Sequence, residues 1–328
     1  MRCSVFILRP PEASSRELLQ SRLHSNVTVA WGPDLPDPAE YDILVAGRPA
    51  REHLTASRSL KTLIIPWAGL PQTTRRLLDE FPRIAVHNLH HNARPVAELA
   101  MGLLLAAAKS ILPLDRALRG ADWTPRYDSK RALLLRGREA LILGYGAIGH
   151  QVAQLCQAFG MKVLATRRRA SEPGCSGGVG IFDGSRETLH RLLPRADVLF
   201  VCLPHTGETK GWIAAQELAL LPSHAILVNV GRGAIVDEDA LYRALQTKKL
   251  LAAGLDVWYT YPRDEDERAD TPPATRPFHE LENVVMSPHR GGLCAETEEL
   301  RMAALAEMLN SAARGEPMPN SVDLGTGY

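Results

Sequence analysis

Nothing in this 328-residue sequence supplies a bulk electrostatic signal: 38 Lys and Arg stand against 37 Asp and Glu, a formal net charge of +1. Without a global field, general attraction to nucleic acid or to a membrane surface is excluded, and a small-molecule partner is the expectation. Long apolar runs are also missing. Leu99 to Ala108 stops at Lys109, too short to span a bilayer, and the N-terminal patch Val5 to Leu8 runs into Arg9-Pro10. Neither a membrane span nor a signal peptide is predicted. Cys3, Cys156, Cys175, Cys202 and Cys294 are scattered, odd in number and never paired as Cys-x-x-Cys. That excludes the common zinc and redox signatures and predicts reduced thiols in a cytoplasmic protein. Internal repeats and low-complexity arrays are absent as well.

What is present suits about two domains of ordinary size. Hydrophobic residues make up 45% and charged residues 23%, with 25 Gly and 23 Pro, the usage of a globular chain. Short β-type runs at Val5–Leu8, Val27–Ala30, Ile43–Val45, Leu63–Ile65 and Ile84–Val86 alternate with helical stretches such as Arg16–Leu23. This rhythm predicts a parallel sheet flanked by helices. Pro95 to Arg119 is the longest helical pattern, with Pro95 suited to its first turn and Pro113 predicted to kink or split it. A second, larger α/β series follows at Ala140–Leu143, Lys162–Ala165, Val198–Cys202, Ile226–Asn229, Ala252–Leu255 and Val284–Met286. Ser171–Gly184 and Thr260–Pro277, rich in Gly, Pro and charge, read as surface loops. The late helical stretch Glu296–Arg314 is expected to return to the first lobe.

Gly144-Tyr145-Gly146-Ala147-Ile148-Gly149 sets G-x-G-x-x-G directly after a β-type run and before a helical stretch. Gly144 permits the tight turn, Gly146 lets backbone approach a pyrophosphate, Gly149 allows close helix packing, and the helix N-terminus offers N–H groups to the anion. Dinucleotide binding is predicted. Eighteen residues past Gly149, where an acid usually binds the ribose of NAD, stands Arg167, followed by Arg168 and Arg169. Guanidinium groups pair with a 2′-phosphate that an acid would repel, so NADP(H) is predicted over NAD(H), which stays possible.

Arg232 lies between Gly231 and Gly233 after the run ending at Asn229, placed to fork two hydrogen bonds to a carboxylate in the crevice where α/β sheets bind ligands. His289, in Ser287-Pro288-His289-Arg290-Gly291-Gly292, follows another strand, where a general acid or base is useful.

Together with Trp67-Ala68-Gly69-Leu70, Val96-Ala97-Glu98, Gly120-Ala121-Asp122-Trp123, Leu203-Pro204-His205-Thr206 and Gly254-Leu255-Asp256-Val257, these segments resemble the D-isomer-specific 2-hydroxyacid dehydrogenase family over nearly the whole chain. The resemblance implies an α/β fold of two doubly wound parallel-sheet lobes. One is a flavodoxin-like substrate lobe from residues 1–95 and 288–328. The other is an inserted Rossmann dinucleotide-binding lobe from residues 96–287, with substrate held in the cleft between them. It implies that backbone N–H groups at Ala68, Gly69 and Leu70 hold a substrate carboxylate, with Trp67 and Asn92 also at the substrate. Arg232 would bind carboxylate and carbonyl, and Asp256 the nicotinamide amide. His289 would give a proton to the carbonyl oxygen as hydride arrives. Cofactor contacts are expected at Gly144, Tyr145, Gly146, Ala147, Ile148, Gly149, Arg167, Arg168, Leu203, Pro204, Thr206, Val230, Asp256, His289 and Gly291.

One departure stands out. Where the family usually carries a glutamate that keeps the histidine protonated, this chain has Tyr261, just before Pro262. A neutral phenol can hydrogen-bond an imidazole but cannot raise its pKa as a carboxylate does, so the pH optimum for reduction is predicted to move down. An acid from Asp264, Glu265, Asp266 or Glu267 folding in beside His289 is weighed against a solvated charge run. His90, His91 and Asn92 are expected to flank the cleft and set substrate size, and Trp67 either does the same or simply packs. His90-His91 lacks a Cys or acid to complete a metal set, so no metal is expected.

The activity implied is reduction of a small 2-keto acid such as glyoxylate or hydroxypyruvate, by a homodimer formed through the Pro95–Arg119 region. A nicotinamide-binding regulator is the competing class, and a formate- or phosphite-type dehydrogenase the minor one.

Overall fold

A computed structural model describes residues 2–128, 132–168 and 174–325. The chain divides into two compact units, Met1–Asn92 with Leu293–Tyr328, and Ala93–Gly292. The sequence places the borders at 95/96 and 287/288. They fall at 92/93 and 292/293 because a helix already starts at Ala93 and because residues 287–291 are tied into the second unit by Asp256.

The first unit runs β1 (Cys3–Ile7), α1 (Ala13–Arg22), β2 (Val27–Trp31), β3 (Ile43–Val45), α2 (Arg51–Thr55), β4 (Thr62–Ile65), α3 (Gln72–Leu78) and β5 (Ala85–Asn88). Among the described residues its strands are all parallel, in the order β2-β1-β3-β4-β5, the flavodoxin-like order. β3 and β4 are buried along their whole length. Strands covered on both faces read as unbroken apolar runs, which is why sequence pattern finds them. β5 extends to Asn88 because its last residues, His87 and Asn88, are buried despite their polarity.

The second unit opens with α4 (Ala93–Ala108) and α5 (Ile111–Arg119). These two helices are bent by 64°. The break is not at Pro113, as expected, but at Ser110, whose φ of 51° lies in the left-handed region. Pro113 falls in the first turn of α5, where its missing N–H costs no helical hydrogen bond. Then come β6 (Glu139–Leu143), α6 (Ala147–Ala158), β7 (Lys162–Arg167), β8 (Gly174–Ser176), β9 (Val179–Asp183), α7 (Arg186–Leu192), β10 (Val198–Val201), α8 (Ala215–Leu220), β11 (Ile226–Asn229), α9 (Glu238–Gln246), β12 (Ala252–Leu255) and β13 (Val284–Met286). The sheet order is β13-β12-β11-β10-β6-β7-β9-β8, parallel except for β8. Ser171–Gly184 is therefore not simply a loop: Val163–Arg167 pair with Val179–Asp183, and backbone pairing overrides a Gly-rich local composition. Arg169, the last of the predicted arginine cluster, lies outside the described residues. Gly254 lets α4 lie close on β12, since a Cβ there would stand 2.7 Å from Leu103 Cβ.

α10 (Thr297–Arg314) belongs to the first unit, where Met302, Leu305 and Leu309 share a core with Val5, Ile7 and Leu19. No single helix among the described residues is long and apolar enough to cross a membrane.

Candidate active site

The order of the larger sheet reverses between β6 and β10, and ligands of open α/β sheets bind beyond the carboxyl ends of strands at such a point. Every predicted site residue of the second unit follows the carboxyl end of a strand or ends one. The glycine turn follows β6, Arg167 ends β7, Leu203–Thr206 follows β10, Arg232 follows β11, Asp256 follows β12 and His289 follows β13.

The glycine turn does what its sequence demands. Gly144 has φ +95°, and a Cβ there would meet the Cys202 carbonyl oxygen at 2.9 Å. A Cβ on Gly149 would overlap the Gly144 carbonyl oxygen, so this position lets α6 close onto the turn. Gly146 is different: nothing lies within 4 Å of where its Cβ would be. It begins α6 without a side-chain cap, leaving open space above first-turn N–H groups, as a pyrophosphate requires. Tyr145 donates its N–H to Thr166 O, and its hydroxyl lies 3.1 Å from His150 Nδ1. Arg167 is exposed at the end of β7, in register with Asp183. That carboxylate is held down at about 2 by hydrogen bonds from Ser185 and Thr188 at the start of α7. These residues fit a dinucleotide.

Leu203–Thr206 closes on itself: Thr206 N–H donates to Thr209 Oγ1 at 2.8 Å, and Thr209 Oγ1 donates to Pro204 O at 2.6 Å. Val230 turns its side chain into the core and gives its N–H to Val201 O, leaving only its carbonyl for a ligand.

Arg232 is an exposed side chain on a closely packed loop. A Cβ on Gly231 would stand 2.6 Å from Leu203 O, and one on Gly233 would overlap Trp258 O. Asn229, 1% exposed, clasps this loop from within, accepting from Gly231 N–H and donating to Arg232 O, both at 3.1 Å. The glycines thus serve tight backbone packing, and the Arg232 guanidinium donates from Nη1 to Gly231 O at 2.7 Å.

Asp256, 2% exposed, has a role the sequence did not reveal. Its carboxylate accepts from Ser287 Oγ at 2.6 Å, Arg290 N–H at 2.8 Å and Gly291 N–H at 2.9 Å. It therefore fixes the loop that carries His289, which takes φ 58°, an uncommon value for a non-glycine residue. Three bonds leave one of a carboxylate's four lone-pair sites for a carboxamide donor. Gly291 is held in that same clasp, and a Cβ there would stand 2.9 Å from Asp256 Oδ2.

The His289–Tyr261 contact corrects an expectation. The two rings face each other tilted, with centroids 5.5 Å apart. The phenol oxygen instead accepts from Trp258 N–H at 3.0 Å, and no hydrogen bond to His289 forms among the described residues. Burial lifts the phenol above its ordinary range, so it is neutral at pH 7. Burial, and then the charge of Arg232, hold His289 below the usual imidazole value against an upward pull from Asp256. The nearby acids stay in their own turn. Asp264 accepts from Asp266 and Glu267 N–H, Glu267 from Arg263 N–H, and Glu265 pairs with Arg268.

In the first unit, Trp67-Ala68-Gly69-Leu70 leaves β4 and residues 89–92 leave β5. Asn88 Nδ2, missed from sequence, ties the two by donating to Ala68 O at 2.6 Å. The Trp67 ring lies against Gly47, with the Arg48 guanidinium 6.0 Å from its centroid, and packs with the apolar cluster beneath. Trp67 thus packs within this unit while staying partly exposed. Asn92 is partly buried at the end of this unit.

Comparison with known proteins bears on both units. The sequence profile described as "D-isomer specific 2-hydroxyacid dehydrogenase, NAD binding domain" matches residues 101–291. The chain is 34% identical over 294 residues to a D-3-phosphoglycerate dehydrogenase of Methanocaldococcus jannaschii, covering 87% of this chain and 52% of that one. It is 36% identical over 236 residues to a glyoxylate reductase of Aeropyrum pernix, covering 69% and 65%. The chain thus spans about half the length of the phosphoglycerate dehydrogenases it matches. Among solved structures, a D-isomer specific 2-hydroxyacid dehydrogenase of Xanthobacter autotrophicus Py2 in complex with NADPH and MES is 26% identical, with a TM-score of 0.78 over 99% of both chains.

Proposed function

This chain belongs to the D-isomer-specific 2-hydroxyacid dehydrogenase family, and from that premise we propose that it transfers a hydride between NADP(H) and a small 2-keto or 2-hydroxy acid. Glyoxylate and hydroxypyruvate are the simplest members of that substrate class. The observation that carries the reading is the set of three strand-end loops, bearing Arg232, Asp256 and His289, built beside an open glycine turn on one sheet. Arg167 and Arg168 support NADP(H) over NAD(H), as does the NADPH held by the similar Xanthobacter structure.

The glycine turn would hold the pyrophosphate of NADPH, and the bound cofactor would supply the hydride. The chain's own groups do the rest. Arg232 binds the substrate carboxylate and polarises the carbonyl, drawing its electrons toward oxygen as the C–H bond forms. His289 passes a proton to that oxygen, and in the reverse direction removes it. Asp256 keeps the His289 loop in place, so the reacting groups are positioned before substrate arrives. Backbone amides of Ala68, Gly69 and Leu70, together with Asn92, are assigned to substrate binding within the first unit. Tyr261 acts through His289, leaving the imidazole without the carboxylate that would keep it protonated.

We also assign this chain a homodimeric state. α5 has no buried residue and exposes Ile111, Leu112, Leu114 and Leu118, an apolar face that a second copy would cover.

The test is NADPH consumption against a panel of 2-keto acids, with NADH in parallel. Turnover that prefers NADPH is expected. Silence across the panel, from protein that still binds NADPH, would overturn the dehydrogenase reading in favour of a cofactor-binding protein.

A further inference from the structure

Trp258 stands on the loop that leaves β12, two residues after Asp256, and is only 5% exposed. It reaches three separate parts of the site. The indole Nε1–H donates to Ser287 O at 2.8 Å, and the backbone N–H donates to the Tyr261 phenol oxygen at 3.0 Å. The carbonyl oxygen lies so close to Gly233 that a Cβ there would overlap it. Ser287 comes two residues before His289, the Tyr261 ring lies against the His289 ring, and Gly233 follows Arg232. One buried residue therefore meets both loops assigned to the chemistry.

Ser287 is gripped at each of its polar groups. Its N–H donates to Leu255 O at 2.8 Å, its hydroxyl to Asp256 Oδ1 at 2.6 Å, and its carbonyl accepts from Trp258. The indole can make that bond because its ring is seated elsewhere. It packs edge to face on buried Phe278, with centroids 6.2 Å apart, and Tyr242 and Tyr259 flank the same phenyl ring. Tyr259 in turn donates its hydroxyl to Val236 O at 3.0 Å, at the far end of the Arg232 loop. A tryptophan buries a large ring and still presents one donor at its edge. Packing alone needs no such donor, and here the donor is spent on the segment that leads to His289.

Resting on the hydride-transfer reading above, we infer that Trp258 is a positioning residue of the reaction, holding the His289 loop in place against the Arg232 loop. His289 keeps its φ of 58° only while the residues around it are held, since an uncommon backbone conformation persists where its surroundings determine it. Asp256 secures the loop at the Ser287 hydroxyl and at the N–H groups of Arg290 and Gly291. Trp258 secures the Ser287 carbonyl, and with it the peptide that enters Pro288 and His289. With that carbonyl freed, the imidazole shifts from the oxygen it is to protonate, while Arg232 still holds the substrate carboxylate. The loss falls on proton transfer and spares binding.

Trp258→Phe keeps a ring against Phe278 and removes the indole donor. With the panel of 2-keto acids as probes, kcat should fall by about ten- to a hundredfold on every member, the scale of a misplaced reacting group. KM and the affinity for NADPH should hold. The solvent deuterium isotope effect on kcat should rise, because protonation by a displaced imidazole becomes the slow step. Phe278→Leu is the control, since it loosens the same aromatic cluster but leaves Ser287 O its donor. It should lower the melting temperature at least as far, with kcat and the isotope effect unchanged. If Trp258→Phe does not fold, benzothienylalanine in place of Trp258 keeps the shape of the ring and puts sulfur where the N–H was. An unchanged kcat and isotope effect without the donor, or losses that follow melting temperature through both variants, would overturn the positioning role.

A second readout needs no turnover and separates this inference from the hydride-transfer reading. The amides of Arg290 and Gly291 should exchange with solvent about tenfold faster in Trp258→Phe, the weight of one buried hydrogen bond, while those of β11 keep their rate. That result supports the clamp even where no 2-keto acid is reduced. Unchanged exchange at Arg290 and Gly291 sinks it.

Discussion

The loops that follow the strands are held differently in the two units. In the second unit they are saturated by their own chain: Asp256 accepts three hydrogen bonds, and the Asn229 amide is engaged at both its oxygen and its nitrogen. In the first unit the loop after β4 is tied to β5 by Asn88 Nδ2, which donates to Ala68 O. Saturation gives rigidity, and rigid placement is what a reaction common to a whole substrate class requires. The difference separates the proposed chemistry from recognition.

The strongest way to break this separation is Arg232→Ala. Arg232 is proposed to bind the group shared by every substrate, so its loss should lower kcat/KM by about 10²–10³-fold on the whole probe panel. NADPH affinity, followed by fluorescence titration, should stay unchanged. If Arg232→Ala spares one class of probe, the division of labour is wrong.

A second comparison lies inside the glycine turn, where three similar residues have different duties. Gly149→Ala drives a Cβ into the Gly144 carbonyl oxygen, and such overpacking costs about 1–3 kcal/mol. Its melting temperature should fall with or without NADPH. Gly146→Ala meets no atom of the chain. It should melt like the unaltered protein yet gain less stability from NADPH, because the added methyl occupies the space kept for the pyrophosphate. Equal melting and equal NADPH response in the two variants would show that the turn does not hold the cofactor.

How much of this was legible in the sequence follows from the range of each interaction. The glycine turn and the central strands were, because a short-range pattern specifies each: buried parallel strands such as Val198–Val201 and Ile226–Asn229 are continuous apolar runs. β8 and β9 were not. Gly174–Ser176 is exposed throughout, and its place in the sheet depends on partners rather than on its own composition. The break before α5 was misplaced because proline disrupts a helix interior but not a first turn. Asp256 was found as a motif residue, but its three donors lie 31 to 35 residues away. Asn88 carries no local mark at all, since a buried amide in a strand looks ordinary until its neighbours are known.

Tyr261→Glu is the smallest change, and it tests how far saturation in the second unit reaches. The His289 loop is tied by Asp256, yet the ring itself stands against a neutral phenol and feels the charges of Arg232 and Asp256. Reduction needs the protonated imidazole, and a pKa below the ordinary 6.5 means that this form is lost as pH rises through a lower value. The alkaline limb of the reduction profile should accordingly lie on the acid side of that value, while oxidation, which needs the neutral ring, is favoured over a wider range. A carboxylate at position 261 would favour the charged ring and move both limbs upward by about one to three pH units, the usual effect of an opposite charge at close range. The rate at each optimum should change little, because neither Arg232 nor the His289 loop is altered. Profiles that coincide would mean that a group other than His289 delivers the proton.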